Sequence, residues 1–366
     1  MQLSCSRAAL RDALRVVSGV VDPRNIKEIL KDIRIRTVNN QVELSATDLE
    51  VGLKYFLTDV QIKKQGGIVV PTDPINGVVS ESQDERLQLN TDENKLTVEG
   101  ASSRFSINGV SEEEFPDIPD FPEEKALEVE GAVLREMIEK TIFAVAMEKQ
   151  RYALNGVLLV TKEKSSKIEM VATDGRRLAL IRRKANNNAP VTASAIIPVK
   201  ALQQILKMIG DEEIVKISVQ ERQVLVKTES AVLVAQLVEG RFPPYKEVIP
   251  EDADKKAEIA ADDLASAVRQ AAVLSAKDSR AIRLNAKKDG LIIESSSPDA
   301  GAARIQVAAK YTGDEIELRF NPDFLLDGLK VMGEEVVRIE MKDATRATIM
   351  KCSDDYLYLV MPITQD

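Results

Sequence analysis

Two aspartates in matching surroundings are the side chains best placed to do chemistry. Asp48 stands in ELSATDLEVGL and Asp174 in EMVATDGRRLAL, each directly after Ala-Thr. Two carboxylates brought together could hold a divalent cation or share general acid–base work. The chain has no histidine. That removes the commonest general base and the commonest metal ligand together, so histidine triads and histidine zinc sites are excluded. Cys5 and Cys352 are the only thiols, and neither has an evident base beside it. No glycine-rich loop of the P-loop or dinucleotide type is present. Carboxylate, lysine or cysteine chemistry survives in principle, with little else to support it.

The interval between the two aspartates, 126 residues, recurs along the whole chain. Leu10, Leu134 and Leu264 open three amphipathic segments at offsets of 124 and 130. Asp299, in IIESSSPDAGA, follows Asp174 at 125. Pro71, Pro198 and Pro322 open three further short helices, and Phe-Pro at 115–116 and 242–243 is matched by Met361-Pro362. Four ordered landmarks repeated three times predict three tandem copies of one domain, bounded at 1–121, 126–250 and 255–366. Asp48 and Asp174 then hold equivalent places in different copies, which favours a shared turn over a joint active site. The 366 residues suit two or three domains, and each copy is large enough for its own core.

Each copy reads as strand, helix, strands, second helix, strands. Short alternations (Leu3 and Cys5, Leu127 and Val129, Ala257 and Ile259) precede helices with apolar positions at i, i+3, i+4 and i+7. In the first helix these are Leu10, Ala13, Leu14 and Val17. Asn321 is suited to cap the last helix, with Pro322 in its first turn. β-rich runs such as QVLVKT and YLYLVMP close each copy. The fold class is therefore α+β, with two helices and antiparallel sheets per copy. The linkers are DIPDFPEEKA (117–126) and PEDADKKAE (250–258), while KANNNAP (184–190) reads as a surface loop inside the second copy. Large copies joined by short linkers, each turned alike from its neighbour, generate an arc. Two arcs closing head to tail would leave no exposed end, and closure also answers the unpaired edge strands of the two outer copies.

No apolar run is long enough to span a bilayer, the first residues lack the core of a signal peptide, and two cysteines are too few for a disulfide framework. A reduced, cytoplasmic protein is the expectation. The net charge of −9 argues against simple nucleic-acid binding. Locally the balance reverses: residues 1–31 hold Arg7, Arg11, Arg15, Arg24, Lys27 and Lys31 against Asp12, Asp22 and Glu28. The repeats do not agree on this, since Arg15 and Arg269 share a repeat position that Glu139 occupies in the second copy.

The segments ATDLEVGL, RYALNGVLL, VATDGRRLAL, GRFPPYKEVIP, NPDFLLDGL and YLVMPI, in this order and spacing, resemble the bacterial sliding clamps, the β subunit of DNA polymerase III. The resemblance covers the whole chain. It implies the DNA clamp fold closed as a head-to-tail homodimeric ring of six domains around duplex DNA, without cofactor or catalysis, in the bacterial cytoplasm at the nucleoid. It also implies a groove between the second and third domains for peptides of the replicative polymerase, the clamp loader, repair polymerases, mismatch-repair proteins and ligase. That groove would be formed by Leu154, Thr173, Gly175, Arg176, Arg177, Leu178, Pro243, Val248, Asn321, Phe324 and Thr345, closed by Met361, Pro362 and Ile363. DNA contacts would fall to Arg24 and to Lys149, Gln150, Arg151 and Tyr152. The dimer seam would involve Arg104, Phe105 and Ile107 against Val273 and Leu274. The chain departs from the family pattern at Arg176, where several members carry histidine, and in running past Met-Pro-Ile with Thr364, Gln365 and Asp366. A partner-binding scaffold that never encircles DNA is the competing expectation.

Overall fold

The computed structural model describes residues 1–123, 126–148, 152–161, 166–187, 193–275, 280–333 and 335–364. Among these residues the α-helices are α1 (Arg7–Val17), α2 (Thr72–Glu81), α3 (Gly131–Ile142), α4 (Val199–Met208), α5 (Ala261–Ala272) and α6 (Pro322–Met332). The strands Gln2–Ser6, Leu127–Glu130 and Lys255–Ala260 run directly into α1, α3 and α5. As the spacing predicts, α1 buries Leu10, Ala13, Leu14 and Val17, and α5 buries Leu264, Ala267, Val268 and Ala271. Asn321 caps α6, its side chain accepting from Asp323 N at 2.9 Å. Pro71 and Pro198 stand one place earlier than Pro322 relative to their helices, as the capping residues themselves. No helix among the described residues is long and apolar enough to cross a membrane.

The chain forms two compact units whose limits do not follow the copies. Unit 1 comprises Met1–Arg135, Ala185–Val191 and Ile197–Leu237; unit 2 comprises Glu136–Lys184, Thr192–Ile196 and Val238–Asp366. Unit 1 contains a five-stranded sheet that ends at Arg104–Asn108, and a nine-stranded sheet. In the latter, strand Ala231–Gln236 of the second copy pairs antiparallel with Val51–Leu57 of the first, setting Leu233 opposite Leu53. Unit 2 contains a nine-stranded sheet in which Tyr356–Val360 of the third copy pairs with Arg177–Lys184 of the second, setting Tyr358 opposite Ala179. Its second sheet has four strands and ends at Gly301–Val307. The second copy is divided between the units because each of its sheets is continuous with a neighbour's. Backbone pairing overrides the sequence boundary.

The two aspartates belong to turns of one design. Asp48 Oδ1 accepts from the N–H groups of Glu50 and Val51 at 3.0 and 2.7 Å. Asp174 Oδ1 accepts from Arg176 and Arg177 at 2.9 and 3.0 Å. Thr47 and Thr173 each receive one backbone N–H and donate to one carbonyl across the turn. The residue after each aspartate is left-handed, Leu49 at φ 77 and Gly175 at φ 88. Glycine makes that conformation inexpensive in the second copy. These carboxylates terminate hairpins. The third copy differs: its hairpin closes at Ser297 opposite Gly301, so Asp299 lies two residues past the last pair instead of one. Asn186–Asn187, read from the sequence as loop, forms a short strand against Leu127 and Glu128.

A buried ionic cluster braces the nine-stranded sheet of unit 1. Glu43 accepts from Arg34 at 3.1 Å, from Arg36 at 3.0 and 2.9 Å and from Ser45 at 2.7 Å. Arg34 and Glu43 side chains are each only 3% exposed, and Phe115, just before the linker, packs its ring on the Arg34 guanidinium. Burial pushes the Glu43 carboxyl up, but hydrogen bonds from Arg36 and Ser45 outweigh it and hold the group below 4.5. A carboxyl depressed in the folded state contributes stability above its unfolded value and loses it as the pH falls through the folded one. Glu43→Gln leaves a buried guanidinium without its counter-charge, a cost on the order of 3 kcal/mol. Urea unfolding of unit 1 should show this loss at pH 7, and a much smaller difference between variant and wild type well below pH 4.5.

Candidate functional site

Within unit 2, the seam between the second and third copies opens into a cavity of about 230 Å³. Its floor follows from strand register, which sets Leu178 opposite Leu359, while Met361 N donates to Arg176 O at 2.9 Å and carries the last strand along the wall. Leu154 enters from the short turn Tyr152–Leu154, and Thr173 and Gly175 enter from the hairpin described above. The opposite wall is the linker in a wider sense than the sequence suggests, beginning at Phe242, with Pro243, Pro244, Tyr245, Glu247 and Val248. Val248 and Met361 are 56% and 41% exposed. Apolar side chains presented at the mouth of an apolar cavity suit a ligand with apolar anchors, each worth about 1.5–3 kcal/mol when fully buried.

Charged groups hold the walls from behind. Arg177 lies in the lining, yet its side chain is only 11% exposed. The guanidinium donates to Asp174 at 3.0 Å, Asp327 of α6 at 2.5 Å and Phe143 O at 2.9 Å, and it lies over the Phe324 ring at 4.7 Å. Burial opposes its charge, but the hydrogen bond to Asp327 prevails and holds the group above the ordinary arginine value. On the linker side, Tyr245 donates to Glu169 at 2.7 Å, and Arg182 donates to the same carboxylate at 2.9 Å. Burial and the Glu169 contact raise the Tyr245 hydroxyl well above its usual value, so it remains a fixed donor. Phe242 meets Tyr245 edge-on at 6.3 Å.

Leu154, Thr173, Gly175, Arg176, Arg177, Leu178, Pro243, Val248 and Met361 are thus brought together in one cavity. Asn321, Phe324, Thr345, Pro362 and Ile363 stand outside its lining. Asn321 caps α6, Phe324 supports Arg177, and Thr345 is held by Asp343 at 2.6 Å. Pro362 is buried, and Ile363 N donates to Arg319 O at 2.7 Å. Tyr245, Ala347 and Leu359 line the cavity without having been singled out in the sequence. An aromatic residue after Pro-Pro, and alternation in YLYLV, were the available signals.

Arg24 is exposed and bonded only locally, its N–H donating to Asp22 at 2.9 Å and its Nε at 3.3 Å. Lys149, Gln150 and Arg151 lie outside the described residues, and Tyr152 begins the short turn before Leu154. Phe105 and Ile107 share the inner face of an edge strand, with Phe105 38% exposed and Ile107 buried, while Arg104 pairs with Glu99 at 3.1 Å. At the end of α5, Val273 is exposed and Leu274 half-buried.

Residues 1–119, 128–244 and 246–364 match the N-terminal, central and C-terminal domains of the DNA polymerase III beta subunit. The chain belongs to that family, the bacterial sliding clamps. The beta sliding clamp of Pseudomonas putida is 31% identical over 367 residues, spanning 99% of this chain and all of that protein. That of Chlamydia pneumoniae is 27% identical across 99% of each. Among solved structures, the Pseudomonas aeruginosa sliding clamp bound to griselimycin matches with a TM-score of 0.95 at 29% identity. The beta subunit from Thermotoga maritima matches at 0.92 and 28%, and both matches cover each chain fully. Sliding clamps are processivity factors, with no reaction of their own.

In this clamp the Arg177 brace predicts a contrast between neighbours. Arg177→Met takes away the guanidinium that Asp327 and the Phe143 carbonyl bond inside the seam, a cost on the order of 2–3 kcal/mol. Arg176→Met, at an exposed position, should be nearly silent. Thermal unfolding of the two variants checks this, and equal melting points would remove the brace.

Proposed function

We propose that two copies of this chain close head to tail into a ring around duplex DNA, each copy built of domains 1–121, 126–250 and 255–366. We further propose that the cavity beside Leu178 receives short apolar peptides of the replicative polymerase, the clamp loader and other DNA-acting proteins. Among the latter would be repair polymerases, mismatch-repair proteins and ligase. Strand bookkeeping carries the ring. Among the described residues the four sheets hold five, nine, nine and four strands. Among the sheet edges, two, Arg104–Asn108 and Gly301–Val307, hold the same places in their copies as the strands joined at the two internal seams. Joining them between molecules makes five and four into a further sheet of nine.

Continuing the internal register sets Phe105 opposite Ala303, as Leu233 is set opposite Leu53 and Tyr358 opposite Ala179. Arg104 then faces Arg304. Like charges directly opposite are destabilising in a sheet, but each arginine already has its own acid, Arg104 with Glu99 and Arg304 with Glu294. The seam is thereby neutral, with Phe105 as its apolar centre and Val273 and Leu274 beside it at the end of α5.

A closed ring also reconciles a net charge of −9 with a DNA partner. Topological linkage retains the ring, so phosphate contacts need only be weak and sequence-blind, which permits sliding. Arg24, with its side chain 89% exposed, is suited to such a contact. The same residue would act with Lys149, Gln150, Arg151 and Tyr152, at the nucleoid.

Phe105→Asp should yield monomers in sedimentation and abolish clamp-dependent synthesis. Glu99→Gln combined with Glu294→Gln should weaken the dimer by leaving two arginines face to face, and added salt should partly restore it. A Phe105→Asp protein that sediments as a full-strength dimer would move the seam elsewhere.

A further inference from the structure

The linker that walls the Leu178 cavity has a second face. There a cavity of about 540 Å³ shares Pro243, Pro244, Tyr245 and Glu247 with the first. Its floor is apolar, made of Leu158, Val160, Ile196 and Phe242. Arg241, Lys246 and Ser194 stand at its rim, all exposed. The common wall is stiff, because Tyr245 donates to Glu169, a carboxylate that Arg182 also holds, and Phe242 packs edge-on against Tyr245.

We infer that this second cavity takes the continuation of the peptide held in the first, a flanking segment with one apolar side chain and neighbouring acidic side chains. This rests on the peptide reading of the Leu178 cavity. Continuity is the first argument: Pro243, Pro244, Tyr245 and Glu247 line both cavities, so a chain that leaves the first over this segment meets the second. Charge is the second. On a chain of net charge −9, an apolar hollow rimmed by two cations and one acid selects an acidic ligand. A division of labour follows. The first cavity holds the anchors that partners have in common, and the second ranks partners by their flanks.

The test uses the full-length chain and three fluorescent peptides. One carries leucine and phenylalanine anchors alone, and the others extend it at one end or the other by a leucine and three glutamates. Wild type should bind one extended peptide about tenfold more tightly than the short one, and the gain should shrink with salt. Arg241→Glu with Lys246→Glu, neither residue lining the first cavity, should bind all three alike while keeping the wild-type affinity for the short peptide. No gain from either extension, or a gain that survives the charge reversal, overturns the inference. Failure of the short peptide to bind wild type overturns the groove reading itself, and the inference falls with it.

Discussion

An unpaired strand edge is what the architecture has to eliminate. Backbone N–H and C=O groups left facing water along a flat strand invite any other strand to pair with them. The chain resolves this twice internally, by laying Ala231–Gln236 on Val51–Leu57 and Tyr356–Val360 on Arg177–Lys184. These pairings fuse sheets of adjacent copies, split the second copy between two compact units, and create the seam where the cavity forms. Two edges that hold the same places in the outer copies, Arg104–Asn108 and Gly301–Val307, are left for another molecule to pair. The same rule that shapes each unit thus calls for the ring.

Function then follows from where the seams fall. At the seam in unit 2, register places Leu178 and Leu359 side by side as a floor, and the linker that must pass there supplies the wall. At the seam in unit 1, the corresponding linker lies down on the sheet. Ile118 covers Gly52, where an added Cβ would come within 3.1 Å of it, and Phe115 is buried. Gly52 holds the place that Leu178 holds in the second copy, each being paired with the threonine that precedes the turn aspartate. One design therefore gives a filled seam and an open one, and the difference is made by a few side chains of the linkers.

Much of this was legible in the sequence because the landmarks are local. Helix periodicity, the Asn321 cap and the Thr-Asp turns each depend on residues a few positions apart. Long-range partners were not legible. The resemblance places Arg177 in the wall of the groove without showing what holds it, whereas its guanidinium is buried between Asp174 and Asp327, the latter 150 residues further along the chain. Tyr245 and Leu359 carry no motif, and their places in the cavity come from strand register and linker path. Asp299 illustrates the reverse error: its offset matches the repeat, but a hairpin of different length shifts it in the turn. Lys54 shows another long-range partnership, buried in a strand yet neutralised by Asp120 of the linker.

Closure around DNA is the claim on which this account stands, and topology tests it directly. The clamp, loaded on nicked circular DNA and washed in high salt, should remain bound, then escape as soon as the circle is cut to a linear duplex. Equal loss from both forms, or equal retention on both, would contradict a ring held by linkage and leave only direct binding to explain its attachment.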